Sequence, residues 1–280
     1  MTLHHVIVGV DGSLNAVRAL DWAAHEAARR GAELRVVYAV PDRDEAGPVL
    51  ASAIARVRQR HPDLSVVTKA DAGGAVPALL RESEGSDLTV VGTRGLGSVT
   101  GLLAGSVSLR LAAHVRGPLL VVRGDHPCDD GREVLLGLES DSDADAAAYA
   151  FREAERRGAR LRVLHSTHRY VTPELPSLIP ATSPGQRRLV QDERAEEAVA
   201  RFSLATLQQE HPEVEVDTRT MRTGAAHALA DATREAAVVV IGAHRRASRL
   251  GPQLGPVAHT LLHHSHCPVA LIPAAGQGAP

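Results

Sequence analysis

The chain has 280 residues, with 31 Lys and Arg against 33 Asp and Glu, so its net charge is −2 with histidines neutral; that balance gives no general electrostatic case for nucleic acid or an anionic membrane. Its two cysteines, Cys128 and Cys267, make neither a disulfide framework nor a metal cluster. The apolar stretch at 6–10 is too short for a signal peptide, and no run approaches the roughly eighteen apolar residues of a membrane span, so a soluble, cytoplasmic protein is expected.

In chain order, residues 6–10 read as an unbroken apolar strand turned by Asp11-Gly12-Ser13, with Ser13 as N-cap of a helix. Ala16, Leu20, Ala23 and Ala27 recur at helical spacing, and Gly31 stops that helix. A strand over 34–40, a helix over 46–60 closed by His61-Pro62, and a strand over 64–68 follow. Gly73-Gly74 then leads a helix through Leu80, and Asp87 opens a strand over 88–91. A loop with glycines at 92, 95, 97, 101 and 105 ends at Ser106, which can cap a helix over 106–115; a strand over 118–122 closes the series. Strands alternating with helices predict a parallel sheet with helices on both faces. Aromatic residues make up only 2% of the chain, so the cores must be Val, Leu and Ala, as suits strands buried on both sides.

The series is then repeated. Val6–Asp11 (VIVGVD) matches Val134–Glu139 (VLLGLE) at an offset of 128, and Arg29-Arg30-Gly31-Ala32 matches Arg156-Arg157-Gly158-Ala159 at 127. Gln59–Pro62 matches Gln209–Pro212, Gly92 matches Gly242 and Pro118 matches Pro268, all at 150. Two copies of one unit are therefore expected, residues 1–124 and 132–274, joined by a polar linker. The rise in offset from 127 to 150 places 23 extra residues in the second copy, near 163–186, where prolines cluster.

Strand, glycine-rich loop and helix N-terminus make an anion site, because bare backbone approaches phosphate closely and first-turn N–H groups point at it. Arg94 adds a planar cation. The loop lacks the lysine of GxxxxGK[ST], and its Gly95, Gly97 and Gly101 miss GxGxxG spacing by one. What fits is Gly92-x2-Gly95-x9-Gly105-Ser106, which resembles the G-2x-G-9x-G-(S/T) loop of ATP-binding universal stress proteins.

That resemblance implies an α/β fold of two tandem doubly wound parallel sheets of strand order 3-2-1-4-5. In such sheets the ends of strands one and four share a crevice. It further implies that Asp11 meets the adenine or ribose end of ATP, that Gly9, Val10 and Val40 line the base, and that Gly92, Arg94, Gly95, Gly97, Gly105, Ser106 and Val107 hold ribose and phosphates, with Mg able to accompany them. In the same family the last strands of two units often pair, which would join residues 119–122 to 269–272 across a pseudo-twofold.

The second copy departs from the pattern. Arg245 stands where the second loop glycine should be, Pro256 replaces the serine and removes both a hydroxyl and an N–H, and Glu139 replaces the aspartate with a reach about 1.5 Å longer. It should keep the sheet and bind ATP weakly or not at all. Arg245, Arg246 and Arg249 read as a solvated basic loop.

Other features carry less. His263, His264 and His266 do not share a helix face, His4-His5 only opens a strand, and Ser98 and Ser108 lack a nucleophile-elbow context. Asp141, Asp143 and Asp145 lack the glycine and glutamate of a calcium loop and suit a helix start. The expected function is that of an ATP-binding stress-response or regulatory protein whose partner is an adenine nucleotide. Self-association as a homodimer and an unidentified protein partner stay open. No water-activating base accompanies the loop; the alternatives are slow ATP hydrolysis or nucleotidyl transfer, and a scaffold that binds no nucleotide.

Overall fold

The structure, a computed structural model, describes residues 4–40, 45–93, 105–123, 128, 131–138, 143–166, 204–221, 225–246 and 253–274. Strand β1 (His5–Gly9) has its three central residues, Val6, Ile7 and Val8, fully buried, as an apolar run inside a parallel sheet requires. Asp11 Oδ1 accepts from Ser13 N at 3.0 Å, and Ser13 Oγ accepts from Ala16 N at 3.2 Å, so the turn and the N-cap of α1 (Leu14–Arg30) are built by adjacent side chains. Gly31 ends α1 at φ 59°, where a side chain would be strained, and its amide returns to carbonyls of the last turn.

The first half continues through β2 (Glu33–Ala39), α2 (Ala46–Arg60), β3 (Val66–Asp71), α3 (Ala75–Ser83), β4 (Leu88–Gly92), α4 (Ser106–His114) and β5 (Leu119–Val122). The third strand begins later than the sequence suggests. Leu64 N is drawn into a turn with His61 O, which defers pairing to Val66. The second half runs β6 (Glu133–Leu138), α5 (Ala144–Arg157), β7 (Leu161–Ser166), α6 (helical over 204–210), β8 (Val216–Met221), α7 (Ala225–Ala232), β9 (Ala236–Gly242), β10 (Arg245–Arg246), β11 (Gln253–Leu254), α8 (Pro256–His264) and β12 (Val269–Ile272). Most of the expected insertion near 163–186 lies outside the described residues.

The main sheet has ten strands in the order β3-β2-β1-β4-β5-β12-β9-β6-β7-β8. The first half shows the 3-2-1-4-5 order, and the second half is its mirror in the list. All pairings are parallel except β5 with β12, where Val121 faces Val269 and Leu119 faces Leu271. The two copies thus join by their last strands, as the family resemblance implies. One apolar core packs α1, α2 and α5 on one face of the sheet, another packs α3, α4, α7 and α8 on the other, and both run unbroken across the junction.

A second junction device is ionic. Glu26 and Arg30 on α1 meet their counterparts Glu153 and Arg157 on α5, all four nearly buried. Arg30 Nη2 donates to Glu153 Oε2 at 2.9 Å and Arg157 Nη2 to Glu26 Oε1 at 2.5 Å across the junction. Within their own helices Arg157 Nε donates to Glu153 Oε1 at 2.7 Å, and Arg30 bonds Glu26. Arg30 also donates to Tyr149 Oη at 2.9 Å, and Arg157 lies 5.5 Å from the Trp22 ring centroid. Burial by itself would raise the Glu153 pKa, but Arg157 and Arg30 outweigh it and hold the carboxyl down at about 2.

Candidate functional site

β1 and β4 are parallel neighbours, with Val6 beside Leu88 and Val8 beside Val90, yet the chain leaves them toward opposite sides, to β2 and to β5. Strand order reverses there, and a doubly wound sheet opens a crevice at such a point. The crevice has a volume of about 180 Å³. Gly9, Val10 and Asp11 lie at its centre, with Val37 and Ala39 of β2 on one side and Gly92, Thr93, Gly105, Ser106 and Val107 on the other.

Eight of the eleven site residues expected from sequence come together here or beside it. Gly9, Val10, Asp11, Gly92, Gly105, Ser106 and Val107 line the crevice. Val40, just past the end of β2, is buried in the core under α1 and α2 and is not among the crevice-lining residues. Val37 and Ala39, two positions apart and so on one face of β2, line the crevice. Arg94, Gly95 and Gly97 lie outside the described residues.

The glycines have two different causes. A Cβ on Gly92 would stand 2.9 Å from the main-chain oxygen of Asn15, and one on Gly9 would stand 2.9 Å from Leu79 Cδ1. These two are bare because α1 and α3 seat directly on the strand ends, which narrows the mouth. Gly105 has another role: its amide bonds Thr93 O and closes the base of the loop, while it serves as N-cap of α4. Ser106 is therefore the first helical residue rather than the cap. Extended backbone at Gly105 takes the cap position, and the exposed Ser106 stands at the lip.

A phosphate group suits this wall, since the first-turn amides of a helix have no acceptor within the helix and Ser106 adds a hydroxyl beside them. Asp11 is the carboxylate in the lining, steered by the Ser13 amide. Among the described residues no three His, Cys, Asp or Glu side chains are grouped to hold a metal, so a divalent ion in this crevice would be carried largely by phosphate and water. Neither thiol is near a reactive state: burial pushes Cys128 and Cys267 up to about 12. His263, on α8, is held below its ordinary pKa by burial and by His259, His264 and Arg123.

The second half closes the matching place. At the 127-residue offset that pairs Arg30 with Arg157, Asp143 stands where the first half has the crevice-lining Ala16. Asp143 is 1% exposed, and its Oδ1 bonds His244 Nε2 at 2.7 Å. A Cβ on Gly242 would fall 2.1 Å from the same Oδ1, so the carboxylate fills the space above the glycine. The following backbone pairs with itself, Arg245 with Leu254 and Arg246 with Gln253, which commits amides of this loop to a hairpin. Pro256 begins α8 without an N–H. Sequence reading found the proline but not the Asp143–His244 lock, because the two residues are 101 positions apart.

Two doubly wound units on one continuous sheet, one with an open crevice at the strand-order reversal and one with that place closed, define a tandem doubly wound α/β protein. The universal stress protein family model matches residues 2–123 and again 131–273, and the chain belongs to that family. A universal stress protein of Mycobacterium tuberculosis strain H37Rv is 30% identical over 291 residues, covering 95% of this chain and 96% of its own. One from Mycolicibacterium smegmatis is 28% identical over 97% of each chain. Among solved structures, a universal stress protein from Archaeoglobus fulgidus superposes with a TM-score of 0.63 at 16% identity, covering 98% of this chain and 100% of that one. No described helix is long and apolar enough to cross a membrane.

Proposed function

We propose that the first half binds ATP in the β1/β4 crevice and that the protein acts in the stress response through that nucleotide state rather than through turnover. The observation that carries the reading is the joint placement of Asp11, the closed loop base at Thr93 and Gly105, and the start of α4 around one cleft. Adenine lies over Val37 and Ala39, the ribose meets Asp11, and the phosphates meet the amides of Ser106 and Val107. At about 180 Å³ the enclosed part suits the nucleoside, and the phosphates extend along the wall toward the loop. Among the described residues the lining offers Asp11 as its carboxylate and no His or Lys, so there hydrolysis has no strong base to draw on. The second half serves as a nucleotide-free scaffold, a reading favoured by the buried Asp143–His244 pair.

Titration of the purified, nucleotide-stripped protein with ATP tests the proposal directly. Saturable binding that weakens by about tenfold or more in Ser106→Pro supports it. Absence of binding, or equal binding by Ser106→Pro, removes it.

A further inference from the structure

A cleft of about 400 Å³ lies where the two halves meet, beside the buried Glu26–Arg30–Glu153–Arg157 ring and away from the ATP crevice. Arg29, Arg30, Tyr149, Arg152 and Arg156 line it, with Asp87 and its partner His4 on the far wall. Its charges do not balance. Glu153 already receives Arg30 and Arg157 and is also reached by Arg156 at 3.3 Å, while Glu26 receives Arg30, Arg157 and Arg29. Among the described residues of this cluster, Arg29, Arg30, Arg152, Arg156 and Arg157 stand against Glu26, Glu153 and Asp87, five cations against three carboxylates. The carboxyl ends of α1 and α5 add about half a negative charge each, which still leaves a positive surplus. Arg152, exposed on α5, has no hydrogen bond or ion pair among the described residues. The duplication is broken at this point, since its counterpart on α1 at offset 127 is His25.

We propose that this interdomain cleft is a second anion site, one that takes a small phosphate-bearing anion between Arg152 and Arg156, with the Tyr149 edge beneath. Guanidinium forks match phosphate oxygens in pairs, and here they are held on one helix face, four residues apart. The cleft around these two arginines is lined from both halves, with Arg29 and Arg30 of α1 across from them.

Isothermal titration of the full chain with inorganic pyrophosphate, at low ionic strength, tests this. The double variant Arg152→Gln/Arg156→Gln should weaken binding by about tenfold or more, the scale of losing charge-assisted contacts. The titrations are compared in a Ser106→Pro background, which weakens phosphate binding in the ATP crevice, so the loss from Arg152→Gln/Arg156→Gln is read at the interdomain cleft. Both arginines are exposed, and Glu153 keeps Arg30 and Arg157, so the double variant should fold; Arg152→Gln alone gives the same reading with a smaller loss. Wild-type protein that fails to bind pyrophosphate, equal binding by the double variant, or binding abolished by Ser106→Pro alone each overturns the proposal. The last outcome assigns the anion to the ATP crevice instead.

Discussion

At the scale of single residues, the comparison between the halves is the most telling. Ser106 and Pro256 hold the same position at the start of α4 and α8, and both helices form. Proline is at ease in a first helical turn, so Ser106→Pro should keep the fold while removing one amide and one hydroxyl from the phosphate wall. We expect ATP affinity to fall by about tenfold to a hundredfold, the effect of losing one or two hydrogen bonds to a charged group, with thermal stability within a degree or two of the parent. Calorimetric titration beside a melting curve reads both. Gly92→Ala makes the opposite case. The added methyl meets Asn15 main chain at 2.9 Å, and the strand end must move, so stability should fall by about 1–3 kcal/mol in denaturant unfolding.

This residue scale also shows what was legible beforehand. Gly92, Gly105 and Ser106 could be found because their spacing is local and their positions follow from one loop. The cause of Gly92 could not, since Asn15 approaches it only after α1 folds back on the sheet. The resemblance implies that Val40 lines the base; in the structure Val40 follows the end of β2 at Ala39 and packs in the core, while Val37 and Ala39 line the crevice. Nothing in a one-dimensional pattern says which face of a doubly covered strand meets a ligand, because both faces are apolar.

At the scale of elements, the α1–α5 ring places four charged side chains in a nearly buried junction. Removing one member of a buried ion pair leaves its partners uncompensated, so Glu153→Gln should cost about 3–5 kcal/mol. The direction with pH follows from the carboxyl held at about 2 against an ordinary 4.5. Its folded pKa is depressed, so its contribution is present in full above about pH 4.5 and drains away as pH falls toward 2. Chemical denaturation across that window should show a steep acid limb in the parent and a shallower one in Glu153→Gln. An unchanged limb would place the acid sensitivity elsewhere. The repeated Arg-Arg-Gly-Ala motif made these helices recognisable as equivalents in the sequence, but their meeting across a dyad depends on β5 pairing with β12.

At the scale of the whole molecule, two expectations separate function from architecture. The Asp143–His244 lock, the β10–β11 hairpin and Pro256 all close the second crevice, so the chain should take up one ATP. A measured stoichiometry of two would mean the lock opens. The halves share a ten-stranded sheet and two continuous cores, so calorimetry should record a single unfolding transition, whereas two resolved transitions would show that the junction is weaker than its burial suggests.

The antiparallel β5–β12 seam has one more effect. In the ten-stranded sheet, every first-half strand ends toward one rim and every second-half strand ends toward the other. The mouths of the duplicated units therefore look in opposite directions. A macromolecule reading one rim never touches its twin, and a lesion that plugs one opening leaves the geometry of the other intact. A gene duplication fused this way frees one copy to drift while its sibling keeps working, and it gives the finished molecule a sense of front and back that a single unit, or a symmetric pair, does not possess.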